Sequence, residues 1–321
     1  MQRRFLGATG LQVSRLALGT MMWGRDTDEY DARDQLAAFL DAGGSLLDTA
    51  PSYGDGASED LIGQLLREVD RADVVLASKA GLQRSGAARR TDTSRGALLR
   101  SLDESLRRLG VDHLDLWQVH VWGDAVPVEE TLSALDAAVT SGRVRYVGVS
   151  NYSGWQTAQA ATWQRAWPGR AVLASTQVEY SLLNRGAERE VLPACRALGV
   201  GVLAWSPLGR GVLTGKYRTG TPADSRAASP HFSSYVDPYL APEAQQVVEA
   251  VCKAADGLSL SPVEVALAWV RDRPGVTAPV VGARTAAQLR GSLAAEEVEL
   301  PGEIAAALDD VSSIDVGYPE R

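Results

Sequence analysis

The chain alternates between short continuous apolar runs and longer stretches whose apolar positions recur three or four residues apart. The first pattern suits strands buried on both faces, the second helices that bury one side. Arg4-Phe5-Leu6, the turn Gly7-Ala8-Thr9-Gly10 and Leu11-Gln12-Val13 predict a short β-hairpin at the start. Strands are then predicted at 16–18, 45–48, 74–78, 114–119, 144–149, 175–179, 200–205 and 276–281. Helices are predicted at 28–42, 58–66, 94–109, 128–141, 155–167, 188–198 and 286–293, several closed by glycines such as Gly110, Gly142 and Gly199. Parallel strands need helical crossovers, and eight such units close on themselves, so the pattern predicts a (β/α)8 TIM barrel. Two stretches interrupt it. Residues 209–240, rich in Gly, Ser, Pro and Tyr, exceed an ordinary βα loop and precede helices at 242–256 and 262–271. The tail 301–321 adds one more helix. No composition break divides the chain, which predicts a single barrel domain over 1–321 with an N-terminal hairpin and extra C-terminal helices.

Polar residues collect at the C-terminal ends of these strands. Asp48 ends the second, Lys79 the third and His120 the fourth; Ser150-Asn151 end the fifth, Gln177 lies in the sixth, Ser206 follows the seventh and Gly282 to Arg284 the eighth. In a barrel these ends converge on one mouth. Ionisable groups that deep are costly unless paired. Taken singly, each has an ordinary reading. Asp48 before Thr49 suits a helix cap or loop anchor, Lys79 an exposed loop lysine, His120 a satisfied core histidine, and Tyr53 beside Gly54 a packed loop aromatic. Together at one mouth they suit proton transfer. A phenol with a pKa of about 10 is a poor donor at neutral pH. An ammonium at Lys79, held charged by Asp48, is expected to lower the Tyr53 value, while a neutral His120 imidazole orients a substrate oxygen. Such a set protonates a developing alkoxide, which suits carbonyl reduction.

Composition narrows the alternatives. A formal net charge of −8 argues against nucleic acid as a partner, and Arg89-Arg90 reads as a solvated loop pair. Cys195 and Cys252 lack CxxC or Cys/His spacing, and His113, His120 and His231 are too scattered for a metal-dependent barrel hydrolase or isomerase, so no disulfide framework and no metal site are expected. No window reaches the ~20 apolar residues of a membrane span, and Met1-Gln2-Arg3-Arg4-Phe5 lacks the apolar core of a signal peptide. A soluble cytoplasmic protein with reduced thiols is the expectation.

The run Asp48-Thr49-Ala50-Pro51-Ser52-Tyr53-Gly54-Asp55-Gly56-Ala57-Ser58-Glu59 resembles the aldo-keto reductase signature around the catalytic Asp and Tyr. The similarity continues in Leu114-Asp115-Leu116-Trp117-Gln118-Val119-His120, in Gly142 to Asn151, in Gln177 to Arg185, in Trp205 to Tyr217 and in Gly282 to Leu289. It runs from about Phe5 to Leu293, and its Trp-Ser-Pro-Leu and Leu-Thr-Gly-Lys-Tyr wording is most similar to the bacterial reductases allied to potassium-channel β subunits. The resemblance implies that Asp48, Tyr53, Lys79 and His120 form the catalytic tetrad. It implies that Ser150, Asn151 and Gln177 grip the nicotinamide carboxamide, with Trp205 the aromatic position near the cofactor. Ser206, Pro207, Leu208, Gly209 and Gly211 match the loop folded over the pyrophosphate, with Lys216 a further phosphate contact. Gly282, Arg284 and Gln288 match the grip on the adenosine 2′-phosphate and adenine. Gly291 and Ser292 depart from the subgroup, which usually carries an acidic residue and an Asn there. Arg284 favours NADPH over NADH, since a guanidinium matches a phosphate dianion. Gly209-Arg210-Gly211 is an incomplete GxGxxG, so a Rossmann site is not supported.

The implied reaction is reduction of an aldehyde or ketone, a small-molecule carbonyl substrate, by hydride from nicotinamide C4 with a proton from Tyr53. The alternative is a cofactor-sensing regulatory subunit of the channel-β type with incidental turnover. Loops at 21–26, 83–92, 121–126 and 218–240 are expected to line the substrate pocket, with Trp23, Trp122 and Phe232 as candidate walls.

Overall fold

Strands Ala17–Gly19, Leu46–Asp48, Val75–Ala80, Leu114–Val119, Val144–Ser150, Leu173–Glu179, Gly201–Trp205 and Val276–Val281 pair in parallel and in chain order. The eighth pairs with the first through Val280 and Ala17, which closes the barrel. This computed structural model describes residues 1–85, 88–223, 225–229, 233–315 and 317–318; His231, Phe232 and the Arg89 side chain lie outside them. The eight strands are those expected from the apolar runs. The third and fifth extend far enough to carry Lys79 and Ser150 within the strand.

Helices follow the strands with capping chemistry written locally. Asp28 caps Glu29–Asp41 by accepting from the Asp31 amide, and Ser153 with Gln156 forms a capping box on Gly154–Arg165. Gly110 and Gly199 end their helices in the left-handed conformation. The helix expected at 188–198 starts only at Val191, because Glu190 has φ −133° and separates it from a 3-10 turn at Gly186–Glu188. The long 209–240 segment holds a 3-10 turn at Gly209–Thr214 and a short helix at Ser233–Val236. Helices Pro242–Leu258, Pro262–Arg271 and Gly302–Val311 are the extra ones. Directly after the third barrel strand, Leu82–Ser85 and Ala88–Thr91 pair as an antiparallel hairpin where a loop was expected.

The bottom of the barrel is shut. Strands Arg3–Phe5 and Gln12–Ser14 form the expected hairpin, and its Leu6 and Val13 pack with Ala17, Leu46, Ala77, Leu116, Ala174, Leu203 and Ala278 in the barrel interior. Gly7 makes this plug possible. Its φ is +60°, and a Cβ there would lie 2.6 Å from both Gly199 O and Gly201 N. With apolar side chains filling the lower layer, the polar positions of the strands collect at the C-terminal mouth. Among the described residues no helix is long and apolar enough to cross a membrane.

Candidate active site

Asp48 is the last residue of the second barrel strand, and Lys79 stands one position from the end of the third. Both are buried, and Lys79 Nζ donates to Asp48 Oδ2 at 2.7 Å and to Thr49 O at 3.0 Å. The second carboxylate oxygen of Asp48 accepts from Gln177 Nε2 at 2.9 Å. Tyr53 lies just beyond, at the start of a turn in which Gly54, Asp55 and Gly56 have φ of +57°, +54° and +99°. Glycine at two of these three positions lets the chain reverse tightly enough to bring the ring back over the mouth. Lys79 Nζ sits 5.3 Å from the Tyr53 ring centroid. His120, immediately after the fourth strand, faces that ring edge-on at 6.2 Å. The structure brings all four residues together.

The charges do not balance as expected. Burial is the largest influence on Tyr53 and raises its phenol pKa; Lys79 opposes this, Asp48 adds to it, and the phenol ends above its ordinary value. The expected net lowering is therefore corrected, because desolvation outweighs one ammonium that is already neutralised by Asp48. Tyr53 is protonated at neutral pH. For Lys79, burial alone lowers the pKa, but Asp48 and then Tyr53 outweigh it and hold the ammonium charged. The arrangement is a neutral proton donor next to a cation that stabilises its conjugate base.

A cleft of about 950 Å³ opens above these groups, lined by Tyr53, His120, Met21, Met22 and Leu82 among others. Ser150, Asn151, Gln177 and Trp205 line it too. Ser150 Oγ donates to Gln177 O at 2.9 Å. Asn151, at φ +56°, donates from Nδ2 to His120 O at 2.9 Å and accepts at Oδ1 from Trp205 Nε1 at 3.0 Å. The carboxamide side chains are thus preset by the protein's own contacts.

Ser206, Pro207, Leu208, Gly211, Lys216, Gly282, Arg284 and Gln288 also line the cleft. Gly209, Arg210 and Gly211 have φ of +53°, +57° and +93°, and the Gly209 and Gly211 amides donate within the turn, to Ser206 O and Leu208 O, both at 2.9 Å. Lys216 Nζ hangs over this turn, 3.6 Å from where a Gly211 Cβ would stand. Gly209 itself faces Leu183, whose Cδ1 lies 2.7 Å from its absent Cβ, so it shapes the turn from behind. Gln288 Oε1 accepts from the Arg284 amide at 3.0 Å, and Gly291 and Ser292 reach the same cleft.

Two expected pocket walls are elsewhere. Trp23 is fully buried with Nε1 donating to Gln35 Oε1, because the first loop folds inward onto its helix. Trp122 packs between Tyr152 and Trp155, at 5.1 and 5.3 Å, outside the cleft lining. Two cleft cations were not singled out from sequence: Arg25 in the first loop and Arg226 in the long segment after the seventh strand. The available signal was an arginine beside Gly24 in the first loop and one beside Ser225 in the long segment. Arg210 between the two glycines is structural instead, paired with Glu179 through Nε and Nη2 and stacked 4.0 Å over Tyr235.

Residues 15–313 match the family model described as the Aldo/keto reductase family. The chain is 40% identical over 326 residues to an uncharacterized oxidoreductase, YrpG, of Bacillus subtilis (strain 168), covering 97% of this chain and 96% of the relative. It is 34% identical to the L-glyceraldehyde 3-phosphate reductase of Escherichia coli (strain K12), over 92% of this chain and 87% of that one. It is 32% identical to a probable voltage-gated potassium channel subunit beta of Oryza sativa subsp. japonica, over 100% of this chain and 98% of the subunit.

Proposed function

The chain belongs to the aldo/keto reductase family, and from that premise we propose that it reduces an aldehyde or ketone with NADPH, Tyr53 supplying the proton. The observation that carries this reading is the buried Asp48–Lys79 pair set against a Tyr53 phenol that stays protonated. The cleft residues fit a dinucleotide. A chain of net charge −8 presents Arg25, Lys216, Arg226 and Arg284 to it, and Asp48, itself paired, is the lone carboxylate among the described lining residues. The Lys216 ammonium beside the Gly209–Gly211 turn would hold phosphate oxygens, and Arg284 would hold the 2′-phosphate. Gln177, Ser150 and Asn151, which line the same cleft, would hold the carboxamide.

The cofactor, when bound, supplies hydride to the carbonyl carbon. The chain's own residues manage the oxygen. His120 orients it, and Tyr53 gives up its proton as negative charge develops there. Lys79 stabilises the phenolate left behind, while Asp48 keeps Lys79 charged and in place. Positioned proton transfer of this kind contributes typically ~10² to 10⁴ in rate.

The test is NADPH oxidation by the purified protein against a panel of aldehydes, α-dicarbonyls and keto-sugars. Carbonyl-dependent oxidation that disappears in Tyr53→Phe is the expected result. Tight NADPH binding with no turnover on any carbonyl would overturn the enzyme reading and favour a regulatory subunit, a plant relative being named a probable voltage-gated potassium channel subunit beta.

A further inference from the structure

Beneath the four mouth residues lies a second set of polar groups, outside the cleft lining. Glu59, in the first turn of the helix Ala57–Leu65, has no exposed surface. Its Oε1 accepts from Ser78 Oγ at 2.7 Å, and its Oε2 accepts from Arg108 Nε at 2.7 Å. Arg108 comes from the helix after the third strand. Its side chain lies against the bare face of Gly56, 3.0 Å from where a Cβ would stand. The preceding residue of the same helix, Ser58, meets Thr49 Oγ1 at 3.1 Å and donates to Thr20 O at 3.0 Å.

These partners are the chain neighbours of the mouth residues. Ser78 precedes Lys79, Thr49 follows Asp48, and Gly56 ends the left-handed turn that begins at Tyr53. One dipeptide therefore ties together the two strand ends and the turn that the proton-transfer geometry requires. Stability alone does not account for such a pair. A buried ion pair is often no better than apolar residues of the same volume, because desolvating two charges offsets their attraction. Directional bonds at fixed lengths do something apolar packing does not: they set the height of the Tyr53 turn against the Lys79 strand.

We propose that Glu59, bridging Ser78 and Arg108, is a positioning residue that holds Tyr53 in register with Lys79 and Asp48. The proposal rests on the carbonyl-reductase reading given above. Losing about an ångström of alignment costs on the order of a hundredfold in rate. Glu59→Gln is therefore expected to lower kcat about 10- to 100-fold while the carbonyl KM and the NADPH Kd stay within roughly threefold. Ser78→Ala, which leaves the ion pair intact, is expected to lower kcat by about three- to tenfold with the same split. Because the residues act as one unit, Glu59→Gln/Arg108→Met should be no slower than the slower single variant.

Kinetics, fluorescence titration of NADPH and thermal melts on the full chain read these outcomes. Folded Glu59→Gln with kcat within twofold of wild type overturns the proposal, as does a loss of NADPH affinity that parallels the loss of kcat. If Glu59→Gln does not fold, Ser78→Ala decides by the same criteria. A readout without turnover separates this proposal from the reaction itself. In 13Cζ-tyrosine spectra the Tyr53 signal, assigned by its absence from Tyr53→Phe, is expected to move in Ser78→Ala. An unmoved signal overturns the positioning role even if wild type reduces carbonyls, and wild type inactive on the whole panel counts against the reaction alone.

Discussion

Removing the Lys79 ammonium has a cost that can be worked from its surroundings. Lys79→Met keeps a long unbranched side chain in the same space but leaves Asp48 buried, with Gln177 Nε2 at 2.9 Å and no cation. Breaking a buried pair by deleting one partner costs about 3–5 kcal/mol, since the surviving charge loses its compensation. For a chain of 321 residues that corresponds to a fall in Tm of roughly 5–8 °C. Asp48 has one escape, which is to take up a proton. The folded variant then binds more protons than the unfolded chain, so its stability deficit should shrink as pH falls from 7 toward 5 and widen as pH rises. Wild type behaves differently over that window. Its Lys79 pKa is raised on folding, so the contribution of the pair is fully present below the ordinary lysine value and is lost only as pH rises through the folded one. Urea titrations of wild type, Lys79→Met and Lys79→Met/Asp48→Asn at several pH values test this. The double variant should regain most of the loss. Lys79→Met within about 1 kcal/mol of wild type at pH 7, or a deficit that grows on acidification, would refute an uncompensated buried carboxylate. Activity should vanish in Lys79→Met and return poorly in Lys79→Arg, because a guanidinium is bulkier and spreads its charge differently.

Tyr53→Phe should lower kcat by about 10² to 10⁴ with NADPH binding within a few-fold, and a variant keeping more than about a tenth of wild-type kcat would rule out Tyr53 as the donor. Arg284→Ala removes a charge-assisted contact worth about 1.5–3 kcal/mol. Fluorescence titration should show NADPH weakened by roughly ten- to a hundredfold and NADH hardly changed; equal losses for both would mean that Arg284 does not read the 2′-phosphate. Gly209→Ala forces a Cβ onto a residue at φ +53° and to 2.7 Å from Leu183 Cδ1. It should cost about 1–2 kcal/mol in backbone strain alone, and an unchanged melting temperature would show that the turn relaxes.

The barrel was legible because its strands are buried on both faces and therefore read as apolar runs, each punctuated by a turn or a helix cap. Lys79 and His120 stood out for the same reason, as ionisable groups where the pattern demanded apolar ones. The helix start at Val191 was misplaced because Glu188 and Glu190 have ordinary helical propensity, and only the φ of −133° at Glu190 breaks the run. The hairpin at 82–91 has polar, arginine-rich strands with no apolar alternation to mark it. Trp23 looked like a pocket wall because its burial depends on how the first loop folds onto Gln35, a partner twelve residues away. The direction of the Tyr53 shift was missed because it is a contest between desolvation and one paired cation, and depth of burial is a property of the assembled barrel. Glu59 and Arg108 were illegible as partners, since forty-nine residues separate them.

Both oxygens of the Asp48 carboxylate are spoken for, one by Lys79 and the other by Gln177. Under the proposed cofactor placement, an engineer who wishes to alter how the nicotinamide end is seated would start at Gln177. Any such change also frees an oxygen of Asp48 and lets the carboxylate rotate toward or away from Lys79. Seating and proton supply are therefore mechanically geared, and libraries that vary Gln177 alone should yield mostly slow variants. Pairing each Gln177 substitution with a choice of Asp or Glu at position 48 doubles the library but keeps a carboxylate for Lys79, and is the more productive search.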